Sequence, residues 1–231
     1  MNNSIKIKKL VGLATLTALV VGLQFLSNYV TFGSISITLA LIPVAMGAIL
    51  YGPVFGAILG GIMGVIIIVA PSTLAYFMPE NPAATIILCI LKTALAGLAA
   101  GFIFKLFAFI AKKQKSKKKK MGLFAAGIII AALVVPIINT GLFILGATIF
   151  FSSIYGNMIN VINAVLTTNF LIEFLVSAIL SPVLVYLIKA LTYQNDLGFA
   201  TDFSMFNFDD EIETEEDEEK TYLENKISDN N

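Results

Sequence analysis

The sequence predicts an all-α integral membrane protein, a bundle of six transmembrane helices with both termini in the cytoplasm. Three observations carry that expectation. The 231 residues are 58% hydrophobic and 13% charged, where soluble domains hold roughly 45–50% and ~25%. Apolar runs that approach the ~30 Å thickness of a hydrocarbon core recur along the chain. The lysine clusters are separated from one another by even numbers of such runs, as the positive-inside rule requires if all of them face the cytoplasm.

Residues 1–9 form a basic start with Lys6, Lys8 and Lys9, ahead of a first span over Leu10–Leu26. The chain after it, Leu26–Ser27–Asn28, lacks the small-x-small pattern of a signal cleavage site, so the span is expected to stay. A second, short span over Ile35–Leu50 is separated from the third, Pro53–Ala70, only by Tyr51–Gly52–Pro53. Glycine suits a helix end and proline a helix start, which predicts a tight helical hairpin. The fourth span covers Ala83–Ile110, and seven lysines follow between Lys112 and Lys120. The fifth and sixth cover Met121–Phe151 and Val161–Ile188, with Lys189 beyond. The connections after spans one, three and five hold no lysine.

The net charge of zero hides a segregation. Residues 1–195 carry 13 lysines against Glu80 and Glu173, whereas residues 196–231 carry 13 acids against Lys220 and Lys226. The chain thus divides into the basic start, a membrane body over residues 10–190 and an acidic tail over residues 191–231. The tail has too little apolar content to fold alone and is expected to be a disordered cytoplasmic extension.

Composition excludes much chemistry. There is no His and one Cys, so imidazole catalysis, cysteine-cluster metal sites and a disulfide within the chain are out. The glycines of the third span lack the Lys-Ser/Thr that completes a nucleotide P-loop. No enzyme and no cofactor are expected. Active transport, if the chain performs it, would draw on an ion gradient or a separate ATPase.

Small residues set the helix contacts. Gly52, Gly56, Gly60 and Gly64 recur every four residues, and Ala96–Gly97 with Ala100–Gly101 repeat that spacing on the fourth span; such stripes let backbones approach closely in lipid. Ala14 and Ala18 form a weaker pair in the cytoplasmic half of the first span, where a partner could dock.

Charges at membrane depth are costly and mark function by default. Lys105 can snorkel to the inner interface. Lys92 lies ~15 Å and Glu173 ~18 Å below the outer surface at 1.5 Å per residue. They share a level, either as an ion pair or with Lys92 meeting a ligand carboxylate. Gln24, Asn28, Asn139, Thr140, Asn157, Asn160, Asn163, Thr167, Thr168 and Asn169 also fall toward the outside, while Gly122–Val135 and Ile179–Val185 are almost wholly apolar. That asymmetry predicts a pocket open outward and sealed below, with Asn28, Lys92, Asn139, Thr140, Asn163, Asn169 and Glu173 as candidate ligand contacts. Tyr29, Phe32, Tyr76, Phe77 and Tyr155 would form an interfacial belt or a lid. A gradient-driven permease acting alone and a non-transporting membrane scaffold stay open at this point.

Ala14-x-x-x-Ala18, then Leu39–Ala40–Leu41–Ile42–Pro43–Val44 leading to Gly47 and Tyr51–Gly52–Pro53-x-x-Gly56, resembles the substrate-binding S component of energy-coupling factor (ECF) vitamin transporters. Lys92–Thr93–Ala94–Leu95–Ala96–Gly97 and Pro136-x-x-Asn139–Thr140–Gly141 extend the resemblance over residues ~8–190. It implies a six-helix subunit that captures a vitamin outside and works with a transmembrane coupling subunit and two cytoplasmic ATPases. It also implies that Ala14 and Ala18 give the coupling subunit a flat surface. Gly33–Ser34–Ile35–Ser36–Ile37 stands where riboflavin-type members carry Asp-x-Ser-Asp, whereas Asn139–Thr140–Gly141 is similar to the pantothenate-like group.

Overall fold

The structure, a computed structural model, describes residues 3–28, 31–32, 35–36, 38–155, 160 and 170–192. Helix α1 spans Asn3–Ser27, so Lys6, Lys8 and Lys9 lie on its first turns rather than ahead of it. Its inward face is read directly from four-residue spacing: Leu16, Val20, Gln24 and Asn28 are buried. The opposite face, through Val11, Ala14, Ala18 and Gly22, is exposed.

The second span differs from the expectation. Thr31–Phe32 (β1) and Ile35–Ser36 (β2) pair as a two-residue antiparallel ribbon, and α2 begins only at Leu41, ending at Tyr51. The cause lies in the backbone donors ahead of the helix. The Thr38 N–H donates to Glu173 Oε1 at 3.0 Å, and the Leu39 N–H donates to Ser27 Oγ at 3.0 Å. Side chains from α1 and from the last helix therefore bind the groups that a longer α2 would have used itself. Pro43, which has no N–H to give, is tolerated in the first turn.

With 11 residues α2 is ~16 Å long, too short to cross a bilayer. Nine of those residues are buried. The helix is apolar all round because it is surrounded by the longer helices of the bundle rather than by lipid. Gly52 then turns the chain with φ 99°, a left-handed conformation that favours glycine, and Pro53 opens α3, Pro53–Ile68. The predicted hairpin forms.

Helix α4 covers Pro82–Lys112, capped by the Asn81 side chain, which accepts from the Ala84 N–H at 3.1 Å. The α3–α4 seam is the glycine stripe in use. A Cβ on Gly56 would strike the Gly97 carbonyl, one on Gly60 the Thr93 carbonyl, one on Gly64 the Cys89 carbonyl, and one on Gly101 would strike Pro53. The partners ascend on one helix as they descend on the other, so the pair is antiparallel and in backbone contact along its length. We expect Gly60→Val to destabilise the protein by ~3 kcal/mol or more through forced separation of the helices. Gly61→Ala, at a position with nothing near the added carbon, is expected to leave the melting temperature unchanged or slightly raised. Thermal unfolding in detergent checks both; equal effects would deny the seam.

Helix α5 runs Lys117–Phe150 straight through Pro136, α6 is the single turn Ser152–Tyr155, and α7 spans Leu171–Thr192. Between α3 and α4 the chain makes a π-helical turn, Thr73–Phe77. Toward the lysine-bearing end the core is apolar but for Ser181 of α7: Ala96, Ala100, Phe104, Ala108 and Ala111 of α4 share one cluster with Phe124, Ile128, Ala131 and Val135 of α5 and with Leu184 and Ile188 of α7. Phe104 and Phe124 meet edge to face at 6.0 Å.

The outer faces are apolar too. Val54, Ile58, Val65 and Val69 of α3, Phe102, Leu106 and Phe109 of α4, and Leu175, Ile179 and Val183 of α7 are all exposed. In water these would be a severe liability; in hydrocarbon they are the expected surface. Among the described residues, α1, α4, α5 and α7 are long and apolar enough to cross a membrane, with α2 and α3 as shorter apolar helices. The all-α membrane architecture stands. Asn157, Asn163, Thr167, Thr168, Asn169, Tyr29 and the acidic tail lie outside the described residues.

Candidate functional site

Polar side chains collect at the end of the bundle opposite the lysine turn. Glu173, in the first turn of α7, is 2% exposed, and its Oε1 holds the Thr38 N–H. The Asn139 side chain, from the middle of α5, faces the same carboxylate, and Lys92 is near enough to attract it. The Lys92 ammonium stands over the Phe143 ring, 4.8 Å from the centroid, a cation–π arrangement that steadies a charge removed from bulk water. Asn139 and Phe143 are one helical turn apart and so share a face of α5. Three candidates named from sequence, Lys92, Asn139 and Glu173, are therefore brought together from three helices. Lys92 and Glu173, expected at one level, are near one another.

Asn139 is 3% exposed, and among the described residues its Oδ1 has no hydrogen-bond partner. A buried amide oxygen without a donor is costly, about 1–3 kcal/mol, and is suited to a ligand hydroxyl or amide. Thr140, its neighbour, is buried as well.

Asn28 belongs to a second polar group a short way off. Its Oδ1 accepts from Gln24 Nε2 at 3.0 Å, and its Nδ2 donates to the Ile66 carbonyl at 3.5 Å, joining the end of α1 to the end of α3. Ser27 beside it links the two groups, because its hydroxyl accepts from Leu39 N–H, adjacent to the Thr38 that Glu173 holds. Asn28→Ala should lower stability by ~1–2 kcal/mol, since Gln24 and the Ile66 carbonyl both lose a buried partner. A fall in melting temperature with ligand affinity kept within a few-fold is the expected result; loss of affinity at unchanged stability would place Asn28 on the ligand instead.

An aromatic cluster flanks Lys92. Phe77 meets Phe143 and Phe151 edge to face at 5.7 and 5.2 Å, so Phe77, expected in an interfacial belt or a lid, is buried at 7% exposure. Tyr76 beside it is exposed. Sequence reading missed Thr38 and Ser27, whose parts here are a backbone donor and a hydroxyl without a distinguishing pattern. It also missed Phe143, which the one-turn spacing from Asn139 could have revealed. Asn163 and Asn169 lie outside the described residues.

The assembled chemistry is a cation on an aromatic ring, a carboxylate committed to the backbone ahead of α2, and an amide acceptor. These groups have the chemistry to hold a polar molecule, and they stand above an apolar core. No curated protein and no solved structure matches the chain. The sequence profile of one family, described as "ECF transporter, substrate-specific component", matches residues 8–188, from the second turn of α1 to the end of the apolar part of α7. With that coverage and this architecture, the chain belongs to the ECF transporter substrate-specific component family, and its role is that of the substrate-specific membrane subunit.

Proposed function

We propose that this chain captures a water-soluble vitamin or vitamin precursor, with pantothenate first, at the outer face of the cell membrane. A transmembrane coupling subunit and two cytoplasmic ATPases then drive its uptake. The observation that carries the reading is the gathering of Lys92, Asn139, Thr140 and Glu173 at one end of the bundle, with the Phe104–Phe124 core beneath them. A binding site closed from below suits a subunit that must be moved by a partner rather than one that conducts by itself.

In this reading Lys92 meets the carboxylate of the vitamin, and Asn139 and Thr140 take its hydroxyl or amide groups. Asn163 and Asn169 add further amides as ligand contacts, and Asn28 closes the α1 side. Glu173 fixes the entry to α2. The lysine turn and both termini face the cytoplasm, which the positive-inside rule favours. Docking to the coupling subunit falls on Ala14 and Ala18, and their exposure beside the buried Leu16 and Val20 supports it. Gly22, exposed one turn further with nothing near its Cα face, lengthens the flat strip.

Mass spectrometry of small molecules released from the purified protein tests the reading. One vitamin per chain, bearing a carboxylate, is expected. Protein that carries none, and binds none from a panel of vitamins including pantothenate, would overturn it.

A further inference from the structure

The lysine-bearing end of this fold carries a dense positive charge. Seven lysines stand in nine residues from Lys112 to Lys120, where α4 ends and α5 begins, and all but the half-buried Lys120 are exposed. Four of them form the first turn of α5, with no acid among them. That is the unfavourable end of the helix dipole for cations. Both the mutual repulsion and the dipole call for an anionic occupant.

The chain supplies one. Between Asp209 and Glu219 nine of eleven residues are acidic, and the route to the lysines is short. Asn139 on α5 and Glu173 on α7 face each other at the outer end. From that level α5 runs back to Lys120 and α7 runs forward to Thr192 over the same number of residues, ~28 Å each. Helix α7 packs along α5, and its last turns, through Leu184 and Ile188, are buried in the core that Phe124 shares. The chain therefore leaves α7 level with the lysine turn. The sixteen residues between Thr192 and Asp209 can span up to ~55 Å, several times the distance needed.

We propose that the acidic segment Asp209–Glu219 docks on the Lys112–Lys120 turn of its own chain, as an electrostatic clasp that covers the basic surface facing the cytoplasm. Tethering makes the contact intramolecular, so the effective concentration is in the millimolar range, and the attraction is screened by salt. The competing occupant is the anionic headgroup surface of the membrane, which the same lysines would otherwise touch.

The test is zero-length carbodiimide cross-linking of the full-length protein in nanodiscs, with peptide mapping, using an equal mixture of light and heavy isotope-labelled chains. Cross-links between the 209–219 carboxylates and Lys112–Lys120, confined to single chains, are expected, falling at least ~10-fold in 1 M salt. Replacing the nine acids by Asn and Gln should abolish them and raise acetylation of the lysine turn several-fold in zwitterionic nanodiscs. Links between light and heavy chains, links chiefly to Lys6, Lys8 and Lys9, or no links at all would overturn the clasp. So would lysine acetylation that depends on anionic lipid and is indifferent to the tail.

Discussion

Replacing Ala14 or Ala18 by glutamate is expected to abolish uptake, by ~100-fold or more, while the isolated subunit binds its ligand as before. Both residues sit on the exposed face of α1, and neither touches the polar end of the bundle, where Gln24 and Asn28 lie on the buried face. A carboxylate buried against a partner helix in the membrane costs about 2.5–3.5 kcal/mol, and ~2.7 kcal/mol is already a hundredfold in association. Ala18→Leu separates bulk from charge and should give a smaller defect of the same kind. Gly61→Leu on the exposed side of α3 serves as the control, expected to transport normally. The measurement is paired, with uptake into cells or vesicles containing all subunits beside affinity of the purified chain. Normal uptake by both glutamate variants would remove the docking surface from α1.

The second large effect lies at Lys92 and Glu173. Lys92→Ala is expected to weaken binding of a carboxylate-bearing vitamin by ~100-fold, the range of a charge-assisted hydrogen bond made in a desolvated site. Glu173→Gln keeps an oxygen for the Thr38 N–H and should fold, whereas Glu173→Ala leaves that buried donor without its partner and should cost about 1–3 kcal/mol. A double-mutant cycle between Lys92→Ala and Glu173→Gln distinguishes two roles for the lysine. If it serves mainly to balance the carboxylate, stability lost in one variant returns in the double. If it meets the ligand, the double binds as poorly as Lys92→Ala alone. The second outcome is expected, because the ammonium rests on Phe143 while the carboxylate is already engaged by Thr38. Affinity within twofold of normal in Lys92→Ala would contradict the assignment.

Much of the architecture was legible in the amino acids, for identifiable reasons. Gly52–Pro53 announces a hairpin because only glycine enters φ 99° without strain and only proline opens a helix without needing a donor. The four-residue glycine spacing announces a helix seam because a Cβ there would strike the neighbouring backbone. Lys92 and Glu173 could be set at one depth because rise per residue is fixed and both helices were anchored by their outer loops.

The start of α2 was not legible. Ile35–Leu50 is largely apolar, and the alternation Ile35–Ser36–Ile37–Thr38 at its start is too short to set a β ribbon apart from a helix. What decides it is Glu173, 135 residues away, and Ser27, which bind the Thr38 and Leu39 amides. Backbone donors leave no trace in a sequence. The same holds for the seating of Lys92 on Phe143, a contact between helices that periodicity on either one does not announce.

The central claim is that hydrophilic recognition occupies one end only, so that the subunit binds without conducting. Vesicles containing the purified chain alone, given labelled pantothenate and then the rest of a vitamin panel, test it most directly. Label retained at one molecule per chain on the outer face is expected, with no accumulation inside under proton or sodium gradients, and accumulation only once coupling subunit, ATPases and ATP are added. Gradient-dependent accumulation by the chain alone would contradict it.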